Sequence, residues 1–182
     1  MDLPDLLKLS AQRHGDPQVS LRLVHQRQQA DTTDEERSQL LWVEGLALHE
    51  LGDTATAVDA FRRAAAIATE ASAPDPAARA NANLAISLQL LGRQDEARKA
   101  LAEAQGVAPD SCQGLVHYLS ATFEQRIGNL DRALELYRRA ETLLMRDGDR
   151  ASVAGLHLNR GVLHSYRNDE VLASREYAAA EA

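Results

Sequence analysis

Residues 48–66 read LHELGDTATAVDAFRRAAA, and this stretch decides the fold. Gly52 interrupts a run of good helix formers, and Ala57, Phe61 and Ala64 follow it in the order small, large, small. Glycine accepts the left-handed backbone with which helices end, so Gly52 marks a turn between two helices. Residues three and four apart share one face of a helix, which places Ala57, Phe61 and Ala64 on a single contact surface.

The same order recurs in LQLLGRQDEARKALAEA (88–104), EQRIGNLDRALELYRRAE (124–141) and HSYRNDEVLASREYAAAEA (164–182). The turn residues are Gly52, Gly92, Gly128 and Asn168, at intervals of 40, 36 and 40. Ala57, Ala97, Ala133 and Ala173 stand five positions later. Phe61, Leu101, Tyr137 and Tyr177 come next, followed by Ala64, Ala104, Ala140 and Ala180. Seven before each turn stands a small residue: Gly45, Ala85, Ala121 and Gly161. Self-similarity at such a period is the signature of a solenoid. The spacing predicts helix hairpins in which the small residues on either side of the turn face each other. Their axes then approach closely, and the large residue fills the space beyond.

Composition agrees. Alanine is abundant, which favours helices in close contact, and no alternating apolar–polar segment bounded by turn residues argues for a strand. The formal charge of −7, without a basic block, speaks against nucleic acid as a partner. The N-terminal MDLPDLLKLSAQRHGD lacks the pattern of a secretory signal, and no apolar run is long enough to span a bilayer. No membrane association is expected, and the cytoplasm is the expected compartment. Cys112 is the single cysteine, so an internal disulfide and a multi-cysteine metal site are excluded.

The five columns closely resemble the tetratricopeptide repeat, whose nominal unit is about 34 residues. The resemblance implies an all-α, right-handed α-solenoid of about five antiparallel helix hairpins, forming one domain over residues 1–182. Its repeats would occupy 36–73, 76–108, 111–147 and 150–182, with 3–30 as a degenerate capping hairpin that keeps Gly15, Ser20 and Val24. The units exceed the nominal length at TEASAPDPAAR (69–79) and LLMRDGDRAS (143–152), so the second helix is expected to run on for an extra turn. Thr33 followed by Glu36 reads as the start of a helix. The family's large residue early in the first helix is Leu41, Asn81, His117 and His157 here, and only Leu41 is apolar. Its closing proline is kept as Pro109 in one repeat and displaced to Pro74 in another. The last hairpin ends at Ala182 without a polar capping helix. That favours a piece of a longer protein over a natural end covered by a partner or a second copy.

Within this family, LDRALELYRRAETLLMRDGDRASVAGLHLNRGVLHSYRND (130–169) is similar to repeats preceding the CHAT domain, a caspase-like peptidase domain of bacterial proteins. This resemblance implies a regulatory or sensing arm of a peptidase, and it transfers no catalytic residue to this chain.

No enzyme chemistry is legible. Cys112 lies in APDSCQG, where Asp110 opposes a thiolate and the start of the next helix separates it from His117. It reads as a small apolar residue. His157 and His164 are seven apart with no third ligand at suitable spacing, so both are read as packing residues and no metal is expected. The glycines mark turns and helix contacts rather than a phosphate-binding loop, and no cofactor is expected. Asp34, Glu35 and Glu36 suit a helix N-terminus.

In the resembled family the first helices line a concave, partner-binding face. Carried over residue by residue, that face comprises Trp42, Leu46 and His49, then Arg79, Ile86 and Gln89. It continues through Tyr118, Thr122, Gln125 and Arg126 to Leu158, Val162 and Tyr166. Asn83 and Asn159 occupy the asparagine column of the family's clamp for chaperone C-termini. Trp42, Leu46, Leu115 and Leu119 stand where its cations belong, so chaperone tails are disfavoured. The expected function is a noncatalytic protein–protein interaction module taking a peptide or protein segment. A peptidase's regulatory arm and a solenoid self-assembling through its C-terminal helix are the alternatives.

Overall fold

The structure is a computed structural model and describes residues 16–181. Among these residues every regular element is a helix and none is a strand. The chain divides into two compact units, one reaching to Cys112 and one beginning at Gln113, where the sequence reading has a single domain. The division falls at a break in the backbone. Ala108 is extended (ψ 115°), as residues before proline are, and Pro109 cannot continue a helix.

The first unit holds α1 (Pro17–Arg27), α2 (Asp34–Glu50), α3 (Thr54–Glu70), α4 (Pro74–Leu90) and α5 (Gln94–Val107). Each packs on the next, and α2 also touches α4. The second unit holds α6 (Gln113–Arg126), α7 (Leu130–Asp147), α8 (Arg150–Tyr166) and α9 (Glu170–Ala180), packed in the same order, with α6 also touching α8. Of the expected capping hairpin over 3–30, α1 supplies the second half, and residues 3–15 lie outside the described residues.

Each repeated turn residue adopts the left-handed backbone expected of it: Gly52 (φ 84°), Gly92 (φ 74°), Gly128 (φ 87°) and Asn168 (φ 58°). Ser72 (φ 54°) and Gly148 (φ 73°) turn the chain between hairpins in the same way. Several helix starts are fixed by side-chain caps, which satisfy amides that the helix itself leaves unpaired. Thr33 and Glu36 form a reciprocal capping box at α2, and Asp53, Asp149 and Asp169 cap α3, α8 and α9. The two 40-residue intervals contain the long second helices α3 and α7, of 17 and 18 residues, whereas α5 in the 36-residue interval has 14.

The contact columns are buried except at Tyr177 and Ala180 of the last hairpin, with one correction to how they work. Ala57, Ala97 and Ala133 have no exposed surface and Ala173 has 1%. The small residue before the turn, however, makes room for the aromatic rather than for the alanine opposite. A methyl group on Gly45 would fall 2.6 Å from Phe61 Cε1, and one on Gly161 would fall 2.6 Å from Tyr177 Cδ1. Each ring therefore lies against bare backbone, a distance no side chain permits. Leu101 needs less room, and the corresponding small position of its hairpin holds Ala85. Tyr137 stands opposite Ala121 and directs its hydroxyl to Gln125 Oε1 at 2.7 Å.

Candidate partner-binding faces

In the second unit, the first helix α8 presents exposed apolar side chains. Leu158, Val162 and Tyr166 are four residues apart on α8, so they form one stripe. They are 44%, 37% and 70% exposed. The neighbouring helix α6 is tied to α8 by Gln125, whose Nε2 donates to the Asn159 carbonyl at 3.2 Å. Arg126 is exposed beside it in sequence, and Thr122 and Gln125 are half-buried.

Tyr118 stands elsewhere. It is 4% exposed, its ring lies 6.3 Å from that of Tyr137, and its hydroxyl accepts from Asn159 Nδ2 at 3.3 Å. Asn159 Nδ2 also donates to Thr122 Oγ1 at 3.2 Å. Tyr118 is thus a core residue in a polar network that joins α6, α7 and α8. Its ring is not available as a surface anchor. Sequence spacing could not separate these cases, because Tyr118 and Tyr166 are both aromatics on a first helix.

In the first unit, Trp42, Leu46, His49, Arg79 and Gln89 are half-buried and Ile86 is buried. His49 Nδ1 lies 3.0 Å from Ser87 Oγ, which fixes the imidazole against α4. Arg79 pairs with Asp75, whose other oxygen accepts from Ser111 Oγ at 2.8 Å. The Trp42 indole N–H is buried without a hydrogen-bond partner among the described residues. Both asparagines of the clamp column are engaged internally, Asn83 by donating to the Arg79 carbonyl at 2.9 Å and Asn159 as above.

Sequence reasoning missed a charge cluster in the second unit. Arg160 of α8 bonds Glu141 of α7 at 2.5 Å and also pairs with Glu176 of α9. His157 lies between the same two carboxylates, 2.8 Å from Glu176 Oε2 and 3.6 Å from Glu141 Oε1. Burial disfavours the ionised Glu176, but hydrogen bonds from Arg160 and His157 outweigh it and hold the carboxyl below its ordinary value. The only sequence signal was a histidine in a column that the family fills with a large side chain.

Cys112 is 1% exposed, and desolvation together with nearby Asp75 pushes its thiol up to about 11 despite Arg79. Such a thiol is a poor nucleophile. Among the described residues no group of three or more histidine, cysteine or carboxylate side chains could hold a metal ion. Among them, too, no helix is long and apolar enough to cross a membrane.

Successive antiparallel helices turned by left-handed glycines define the class, an α-solenoid. Residues 36–110 match the tetratricopeptide repeat family, which supports reading the chain as a tetratricopeptide repeat protein. Among solved structures, the crystal structure of BtubC (BKLC) from P. vanneervenii is similar, with a TM-score of 0.63 at 17% identity. The likeness covers 93% of this chain and 74% of that one, and at this identity it speaks for the fold alone. No curated protein sequence matches. None of these likenesses bears on the similarity to CHAT-associated repeats.

Proposed function

We propose that the chain is a noncatalytic module that binds a peptide or protein segment on the faces of its first helices. Tetratricopeptide repeats generally mediate protein–protein interaction. The observation that carries the reading is the exposed stripe Leu158, Val162 and Tyr166 on α8. Apolar side chains aligned on one helix face gain most by burial against a partner, and tyrosine is a frequent anchor in such contacts. Arg126 is available to fix a partner's carboxylate or carbonyl at the edge of this face. In the first unit, Trp42, Leu46 and His49 offer a second, more recessed face.

Affinity capture from the source cells, compared between wild type and a Val162→Glu/Tyr166→Ala variant of equal helicity, tests this reading. Partners retained by wild type and lost by the variant are expected. The same partners in the same amounts on both would contradict it.

A second reading has its own observation. On α9, the adjacent Val171 and Leu172 are 81% and 37% exposed, apolar side chains that a second copy could cover. Sedimentation at several concentrations decides it. A mass that rises with concentration and falls back in Val171→Lys supports self-assembly, and a monomer throughout removes it.

A further inference from the structure

Helix α9 is held to its unit more by charge than by apolar burial. Its buried side chains are Ala173 and Glu176, whereas α7, the second helix of the preceding hairpin, buries Leu134, Leu136, Tyr137 and Leu144 among others. Val171 and Leu172 face solvent, and the Tyr177 ring stays 36% exposed where it lies on Gly161. The helix packs on α8, and Glu176 fixes it there by accepting from Arg160 and lying 2.8 Å from His157 Nδ1. A buried ion pair adds little over apolar packing, because desolvating its charges offsets most of their attraction. Elements with little apolar burial open ahead of the rest of a fold.

We infer that α9 is a latched strap that leaves α8 as a unit, and that the seat it uncovers takes the same helix of a second copy. The seat outlasts the departure of α9. Glu141 of α7 bonds Arg160 at 2.5 Å and lies 3.6 Å from His157, so both side chains keep their places. Beside them Gly161 presents bare backbone, against which a flat ring can rest.

The chemistry of the seat selects its occupant. Arg160 and His157 suit a carboxylate, Gly161 suits an aromatic ring, and the close crossing that α9 makes at Ala173, 1% exposed, suits a small side chain. Ala173, Glu176 and Tyr177 supply all three from one helix face, at spacings of three and four. A second copy carries the identical set, and exchange of an identical element is a low-cost route to a dimer. His157 and Arg160 lie on the side of α8 away from Val162, so this inference does not depend on the stripe proposed above.

Native-state hydrogen exchange on the full chain tests the strap. Amides of α9 are expected to exchange at least tenfold faster than the slowest amides of α7. Phe123→Leu alters a 1%-exposed core residue of α6 and should speed α7 while leaving α9 unchanged. Should that variant not fold, a shallower urea dependence for α9 than for α7 in wild type makes the same distinction. Amides of α9 that follow those of α7 in rate and in urea dependence would overturn the strap. A fluorescent peptide of residues 168–181 tests the seat. It should bind wild type saturably, and bind the Glu176→Gln chain, whose strap is unlatched, several-fold more tightly. A peptide carrying the Glu176→Gln change should bind more weakly than the native peptide. No saturable binding to the Glu176→Gln chain, or equal binding of the two peptides, would overturn the occupant.

Discussion

At Gly45 a single methyl group decides whether Phe61 can stay in place. Gly45→Ala drives a carbon into a ring that is 1% exposed and has nowhere to go. The expected cost is about 1–3 kcal/mol, the range for overpacking a core. Chemical denaturation measures it, and Phe61→Leu in the same chain should recover part of the loss, since Ala85 with Leu101 is the natural version of that pair. Gly161→Ala should cost less, because Tyr177 is 36% exposed and can swing outward. His117 gives a pH-dependent counterpart. Burial, with Arg139 and Arg132 nearby, lowers its pKa in the folded chain, and its Nδ1 is buried without a hydrogen-bond partner among the described residues. Below the unfolded value of about 6.5 the unfolded chain holds a proton that folded His117 resists. Its contribution to stability is therefore complete above about pH 6.5 and is lost as pH falls toward the folded value. Urea midpoints at pH 7 and pH 5 should differ less in His117→Leu than in wild type.

The elements depend on their ends and on the charged contacts between them. Ser72 ends α3 with φ 54°, a backbone that costs an L-residue on the order of 1 kcal/mol and costs glycine almost nothing. Ser72→Gly should therefore stabilise the chain by up to about 1 kcal/mol in denaturant titration. Helices α7, α8 and α9 are joined by Glu141, His157, Arg160 and Glu176, of which Glu176 is 7% exposed. Removing the cation leaves two carboxylates facing each other with little water. Arg160→Met should cost about 3 kcal/mol at neutral pH, in keeping with breaking a buried pair on one side. Glu176 has a lowered folded pKa, so its stabilisation is present above the unfolded carboxyl value of about 4.3 and disappears as pH falls through the folded value. The gap between Arg160→Met and wild type should accordingly narrow on acidification. The helix ends were legible because caps and turns are local: Thr33 with Glu36 and the glycine column each involve a few adjacent residues. The charge cluster was not, since it needs three helices to converge and its members on different helices lie 16 to 35 positions apart.

For the whole molecule, the repeated hairpin was legible because four copies of one packing solution leave the same residues at the same offsets. The role of the glycines was only partly so. Sequence spacing paired Gly45 with Ala57, whereas the ring of Phe61 reaches further across than its own position suggests. The division at Cys112 was hidden as well, because the repeat columns run through it without change. For the binding faces, exposure depends on how neighbouring helices cover each residue. Tyr118 and Tyr166 read alike in the sequence, and burial separates them. The account rests on aromatic rings seated against glycine backbone in antiparallel hairpins. A NOESY spectrum of the chain with labelled glycine, phenylalanine and tyrosine tests this most directly. Cross-peaks from Gly45 Hα to the Phe61 ring and from Gly161 Hα to the Tyr177 ring, with those glycine protons shifted by the ring currents, are the predicted result. Glycine protons at ordinary shifts with no aromatic cross-peak would contradict it.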